Sequence, residues 1–282
     1  MRGYRLMAGG VFSAFALLGS AGRAGAEITN VDIGINPTYE QTGPTTVTST
    51  GGFFSARAFL ASASDFDGGT LAYPGAGSPA PLTPQPGPIV GYSVGDSSFA
   101  DLNTAFPFGT YTFDATNSMT SDSQTATIDY TTAATPLSIP RLSAASYNGL
   151  QGLNSASGFT FDFNSFVQNP SGNLAFVFLN VIDSGGNDVF SQGFLGPTTT
   201  SIFMPGGSLA AGQAYTFDLI FDDRITGTDG VTPNTIFFDA HTDGTFTTAA
   251  VPEPGTWAIL ALGFAGLGGV LRRKSARTAG LA

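Results

Sequence analysis

Short runs of alternating apolar and polar residues, cut by Gly, Pro and Asp every few positions, constrain this chain most. Only an extended strand has a side-chain period of two. In "AYTFDLIF" (214–221), Tyr215, Phe217 and Leu219 fall on one face and Thr216 and Asp218 on the other. Comparable runs are "TTVTST" (45–50), "FFSARAFL" (53–60), "PIVGYSV" (88–94), "GTYTFDA" (109–115) and "TATIDYT" (125–131). They continue with "LSIPRL" (137–142), "FTFDF" (159–163), "DVFSQGF" (188–194), "TTTSIFM" (198–204) and "TIFFDAHTDGTF" (235–246). "LAFVFLNVI" (174–182) is almost unbroken in its hydrophobicity and is expected as a central strand. The Pro-rich stretch 75–88 is expected as a surface loop without a central strand. "TTAATP" (131–136) reads as a linker. Glu27 and Glu40 are expected near a mobile start.

The fold class that follows is all-β, with a β-rich module over 27–133 and a β-sandwich over 137–248. The chain has no cysteine, so disulfides and thiol nucleophiles are excluded and stability must come from packed cores. "YTFD" occurs at Tyr111–Asp114 and again at Tyr215–Asp218, 104 residues later, about the length of one immunoglobulin-like domain. Two sandwiches in tandem or one larger domain both satisfy this echo.

The two ends read as targeting segments. Arg2 and Arg5 precede an apolar run that reaches about Leu18, and Ala24-Gly25-Ala26 offers small residues for signal peptidase just before Glu27. Residues 1–26 are therefore expected to be a signal peptide. At the other end, Val251-Pro252-Glu253-Pro254 is followed by the uncharged segment 257–271 and then by Arg272-Arg273-Lys274. As a helix this segment would rise about 22 Å against a hydrocarbon core of about 30 Å, a marginal transmembrane span. The basic cluster keeps its end cytoplasmic and leaves everything before Val251 outside. Pro252 and Pro254 hold the motif extended, the backbone form that a protease cleft takes.

This order of extended motif, short membrane helix and basic cluster over 251–274 resembles the PEP-CTERM signal of Gram-negative bacteria. The resemblance implies an exosortase-type membrane protease as a partner, transient residence in the inner membrane, and a mature form at the cell surface or in the extracellular matrix. A second resemblance is local. "LAAGQAY", from Leu209 to Tyr215, is similar to the tyrosine corner of fibronectin type III and related immunoglobulin-like sandwiches. It implies that Tyr215 buries its ring and gives its hydroxyl to the backbone. Ala211 stands where that family usually has Pro, and no Trp is available in "FTFDF".

Charge and chemistry narrow the function further. Residues 27–250 hold 19 acidic residues against three basic ones, Arg57, Arg141 and Arg224, a net charge of −16. No basic stripe exists for phosphate contacts, which excludes nucleic acid as a partner. His241 is the single histidine, and no Gly-x-Ser-x-Gly elbow is present. Asp218 and Asp222 exemplify the acid pairs that so many aspartates allow, a pattern without specificity for glycoside hydrolysis. Asp183, Asn187 and Asp188 bunch oxygen ligands around a Gly turn and are weak calcium candidates; Asp65 with Asp67, and Asp222 with Asp223, do so less fully. A hairpin turn needs the same residue types, and that reading ranks first. No cofactor is expected. The function expected is a non-enzymatic surface or matrix protein, with polysaccharide binding as the alternative and a glycan-active hydrolase third.

Overall fold

The computed structural model describes residues 26–130 and 137–250, and their architecture is all-β. Its organising strand is one that hydropathy does not announce. β1 (Ile28–Gln41) carries Asp, Asn, Gly and Pro, yet it lies antiparallel to β2 (Val47–Leu60) and parallel to β13 (Pro233–Thr247). Val31, Ile33 and Ile35 pack into a core, while Asp32, Gly34, Asn36 and Thr38 alternate onto the other face of the sheet. Pro37 has no N–H for a ladder bond. Beside it the Asn36 side chain joins the ladder, its Oδ1 accepting the Asp239 N–H at 2.8 Å. The mobile start expected at Glu27 and Glu40 is thereby corrected: the Glu27 carbonyl accepts the Ala61 N–H at 3.0 Å, and Glu40 sits within β1 opposite Thr48.

The other strands are β3 (Gly68–Ala72), β4 (Ala80–Gln85), β5 (Ile89–Asp96), β6 (Gly109–Thr116) and β7 (Ser123–Tyr130). They continue with β8 (Phe159–Asp162), β9 (Leu174–Asp183), β10 (Asp188–Leu195), β11 (Ser201–Met204) and β12 (Ala214–Thr228). Eleven strands form one sheet in the order β10-β9-β12-β13-β1-β2-β5-β4-β3-β6-β7, and β11 pairs with β8 in a separate ribbon. β9 lies between two neighbours, as its continuous apolar run requires.

Three local expectations are corrected. Residues 47–50 of the first segment and 53–60 form a single strand, β2, because Gly51 and Gly52 stay paired with β1 through an irregularity at Thr38/Tyr39. The Pro-rich stretch contains β4, which sits inside the sheet. Ala80 to Leu82 pair only with β3 and Thr83 to Gln85 only with β5. Each half has one paired flank, and that arrangement tolerates Pro81 and Pro84. Segment 137–142 is not a strand: Leu142 makes an isolated bridge to Phe163, and the Arg141 N–H goes to the Asn164 side chain at 2.8 Å. The chain then turns into α2 (Ala144–Leu150), whose first turn is capped by Ser143 Oγ accepting the Ser146 N–H at 3.2 Å.

The sheet carries two hydrophobic cores. In the first, β3, β6 and β7 fold back over β1, β2, β5 and the start of β13, so that Tyr111 reaches Phe54 at 6.0 Å and Tyr130 reaches Phe238 at 5.8 Å between ring centroids. The short helix α1 (Phe99–Ala105) closes one end, and Phe106 just after it stacks on Phe54 at 3.9 Å. In the second core, β9, β12 and the end of β13 are covered by the β8–β11 ribbon and α2, with Phe166 stacked on Phe221 at 4.8 Å. Each fully buried ring contributes about 1.5–3 kcal/mol.

Core and sequence boundaries do not coincide. Ile236 and Phe238, from the second stretch of sequence, pack in the first core. Gln41 joins the two halves at their junction: its Oε1 accepts the Leu142 N–H at 2.8 Å and its Nε2 donates to the Leu142 carbonyl at 3.2 Å. The expected linker 131–136 lies outside the described residues.

Candidate functional site

The face of the large sheet opposite the cores collects most of the chain's unusual chemistry. Strand pairing places Arg57 opposite Asp32, Phe237 opposite Gly34 and Arg224, and Asp239 opposite Asp222. These side chains therefore share one surface across β2, β1, β13 and β12.

Arg57 grips Asp32 with both ends of its fork, Nε to Oδ1 at 2.9 Å and a terminal nitrogen to Oδ2 at 2.6 Å. Its guanidinium also lies 5.3 Å from the Phe237 ring centre and 5.5 Å from that of Phe59. Gly34 makes room for that ring; a Cβ there would come within 2.5 Å of it. Arg224 repeats the arrangement, with Nε 2.7 Å from Asp222 Oδ2 and the cation 5.4 Å from the Phe176 ring centre. Two of the three basic residues between 27 and 250 are thus committed to this face.

Burial and repulsion from Asp222 push the Asp239 carboxyl well above the usual range. His241 sits one step along β13, with Nδ1 3.2 Å from Asp218 Oδ1 and its ring 5.6 Å from Phe53. Burial alone would depress His241, but Asp218, Asp239 and Asp243 outweigh it and lift its pKa to about 9. It is therefore a cation at neutral pH and completes a row of three pairs, Asp32–Arg57, Asp222–Arg224 and Asp218–His241.

Aromatic side chains occupy the far end of this face. β10, the edge strand, is irregular between Gln192 and Leu195. Gly193 lies under the Phe178 ring, where a Cβ would come within 2.3 Å. Phe194 adopts a left-handed backbone, φ 55°, and is 49% exposed. Its ring meets Phe178 at 4.8 Å and Phe176 at 5.6 Å, both edge-to-face. Asn180 and Ser191 continue the same face, joined by a 2.8 Å hydrogen bond.

The residues singled out in the sequence have the following places. Tyr215 is buried and its hydroxyl accepts the Ala210 N–H at 2.8 Å, next to buried Leu209. Tyr111, in the earlier "YTFD", donates its hydroxyl to the Pro107 carbonyl at 2.9 Å. Asp183 Oδ1 accepts the Gly185 N–H at 2.8 Å and the Asn187 N–H at 2.9 Å, closing the β9–β10 turn and holding its carboxyl below the usual range. Burial and the Asp218 charge push Asp188 upward. Asp67 is tied to Ser118, whose N–H it accepts at 3.0 Å. Asp218 and Asp222 face different cations, His241 and Arg224. Among the described residues, no group of three or more His, Asp or Glu side chains could hold a metal ion.

Ala26 and Glu27 lead into β1. Ala24, the motif Val251, Pro252, Glu253 and Pro254, and Arg272 and Arg273 lie outside the described residues, as does the expected membrane helix. No helix among the described residues is long and apolar enough to cross a membrane. Sequence reasoning missed the Arg–Asp ladder and the Phe platform. The scarcity of cations was the available signal, because Arg57 and Arg224 each stand in a strand-like segment.

Residues 250–274 match the model of the PEP-CTERM protein-sorting motif. The chain carries a PEP-CTERM sorting motif. The motif marks an exported protein that passes through a membrane-anchored precursor and is processed by exosortase on its way to the cell surface. No curated protein matches the sequence. Among solved structures, similarity is found to "Biofilm associated protein - BSP domain", with 16% identity and a TM-score of 0.21 over 77% of this chain and 30% of that one. It is also found to an ice-binding, Ca2+-stabilised adhesin of an Antarctic bacterium, with 17% identity and a TM-score of 0.24 over 81% of this chain and 50% of that one. The FN1–FN3 domains of chicken CNTN1 match with 10% identity and a TM-score of 0.23 over 77% of this chain and 67% of that one. The chain thus spans half or less of the first two structures' length.

Proposed function

We propose that the exported protein is a non-enzymatic component of the cell surface or extracellular matrix, released after removal of its PEP-CTERM tail. The observation that carries this reading is the sorting motif at 250–274. The ladder face supports the non-enzymatic part. Asp32, Asp218 and Asp222 each hold a cation. Such pairing spends these groups on holding four strands together, and it leaves none of them as a free nucleophile or base. The finer assignment of an immunoglobulin-like or fibronectin type III-like sandwich belongs to the same proposal and draws support from the Leu209–Tyr215 geometry.

Fractionation of cells expressing the full chain with an epitope after Ala282 tests the reading. The exported protein is expected in the surface or matrix fraction without the epitope. Replacing Glu253 with Ala, or Arg272 and Arg273 with neutral residues, is expected to hold uncut precursor at the inner membrane. A second reading, contact with extracellular polysaccharide, is favoured by the exposed ring of Phe194 above Phe176 and Phe178.

A further inference from the structure

We propose that Phe194, held edge-to-face against Phe176 and Phe178, is the stacking platform for a neutral polysaccharide, with Asn180, Ser191 and Arg224 at its borders. The proposal rests on the polysaccharide-contact reading above and names where contact is made and with what class of polymer.

The backbone of Phe194 is left-handed, φ 55°. A bulky residue with positive φ is strained, and such strain persists where the surroundings enforce it, often at functional positions. Here the strain holds a half-exposed ring outward, edge-to-face with Phe178 at 4.8 Å and Phe176 at 5.6 Å. The ring belongs to neither hydrophobic core. The faces of aromatic rings carry negative charge density, which attracts the polarised C–H groups on one side of a sugar ring. Neighbouring side chains supply what sugar hydroxyls need: the Asn180 amide, the Ser191 hydroxyl and the Arg224 guanidinium beside the Phe176 ring.

Charge then selects the polymer. Residues 27–250 carry a net charge of −16, and Arg224 is already neutralised by Asp222. An anionic polymer, an anionic lipid surface or a second copy of this chain would be repelled. A neutral glycan has no such penalty. β10 is the edge strand, so a long polymer can pass over the platform without being threaded into a closed pocket.

The test is affinity electrophoresis of the exported, processed protein in gels containing a soluble neutral glycan, such as dextran, laminarin, galactomannan or hydroxyethylcellulose, with alginate as the anionic control. The wild-type protein is expected to be retarded by at least one neutral polymer, and to remain so in about 0.5 M NaCl, where charge attraction is screened. Phe194→Ala is expected to weaken retardation about tenfold or more, while Phe194→Tyr, which keeps a stacking ring, retains it. A thermal melt checks that both variants are folded. Undiminished retardation of Phe194→Ala would place binding elsewhere and overturn the platform while leaving polysaccharide contact intact. Absence of retardation by every neutral polymer would overturn both, and salt-sensitive retardation by alginate alone would overturn the neutral assignment. The surface-protein reading is tested separately by the fractionation above.

Discussion

Tyr111 and Tyr215 use one residue type in two polarities. Tyr111 donates its hydroxyl to the Pro107 carbonyl, and Tyr215 accepts the Ala210 N–H, each bond reaching back a few residues along the chain. Either Tyr→Phe change keeps the ring in its core and removes one hydrogen bond, so each is expected to cost about 1–2 kcal/mol in urea melts. Tyr215→Ala should cost more, about 3–5 kcal/mol, because it also empties the ring's site. Phe194 offers a different comparison. Ala and Gly both delete its exposed ring, but only Gly accepts φ 55° without strain. Phe194→Gly is therefore expected to be more stable than Phe194→Ala by about 1 kcal/mol. Equal stabilities would mean that the left-handed backbone at 194 is not maintained.

At the scale of elements, the pairing of β12, β13, β1 and β2 makes stability depend on pH in a defined direction. His241 is raised from 6.5 to about 9 by its aspartate neighbours against the effect of burial. Its stabilisation is complete below about pH 6.5 and lost as pH rises through 9. Asp223, on the other face of β12, is lifted by burial to about 6, although its Oδ2 accepts the Asn169 N–H at 2.6 Å. It too favours the folded state when protonated, and that contribution is lost between about pH 4 and 6. The urea midpoint is expected to fall from pH 6.5 to 9 by an amount corresponding to about 2 kcal/mol, and His241→Gln is expected to flatten that slope. Asp223→Asn should flatten only the segment between pH 4 and 6.

The same elements show what hydropathy can and cannot convey. β9, β12 and β13 were legible because an apolar run or alternation survives when one face meets a core. β1 was not, since its outer face is buried under Arg57, Phe237 and other long side chains, and its Asp, Asn and Pro imitate a loop. β4 was hidden because a strand that changes partner halfway tolerates proline. The Arg–Asp ladder is made by register between strands far apart in sequence, which no local pattern encodes.

For the whole molecule, the first and last strands of the described residues lie side by side, and one sheet runs through both cores. This closure is made without a disulfide, and it suits a chain that must fold after export with no cysteine. The exported body is strongly acidic, and its three arginines, two paired within the sheet and one in the segment before α2, offer no basic patch. Export followed by tail removal is the claim on which the functional account turns, and the intact mass of the protein released from cells tests it most directly. The account predicts a species that begins near Glu27 and ends before the apolar segment 257–271, lacking Arg272, Arg273 and Lys274. A released protein whose mass includes residues 257–282 would contradict it.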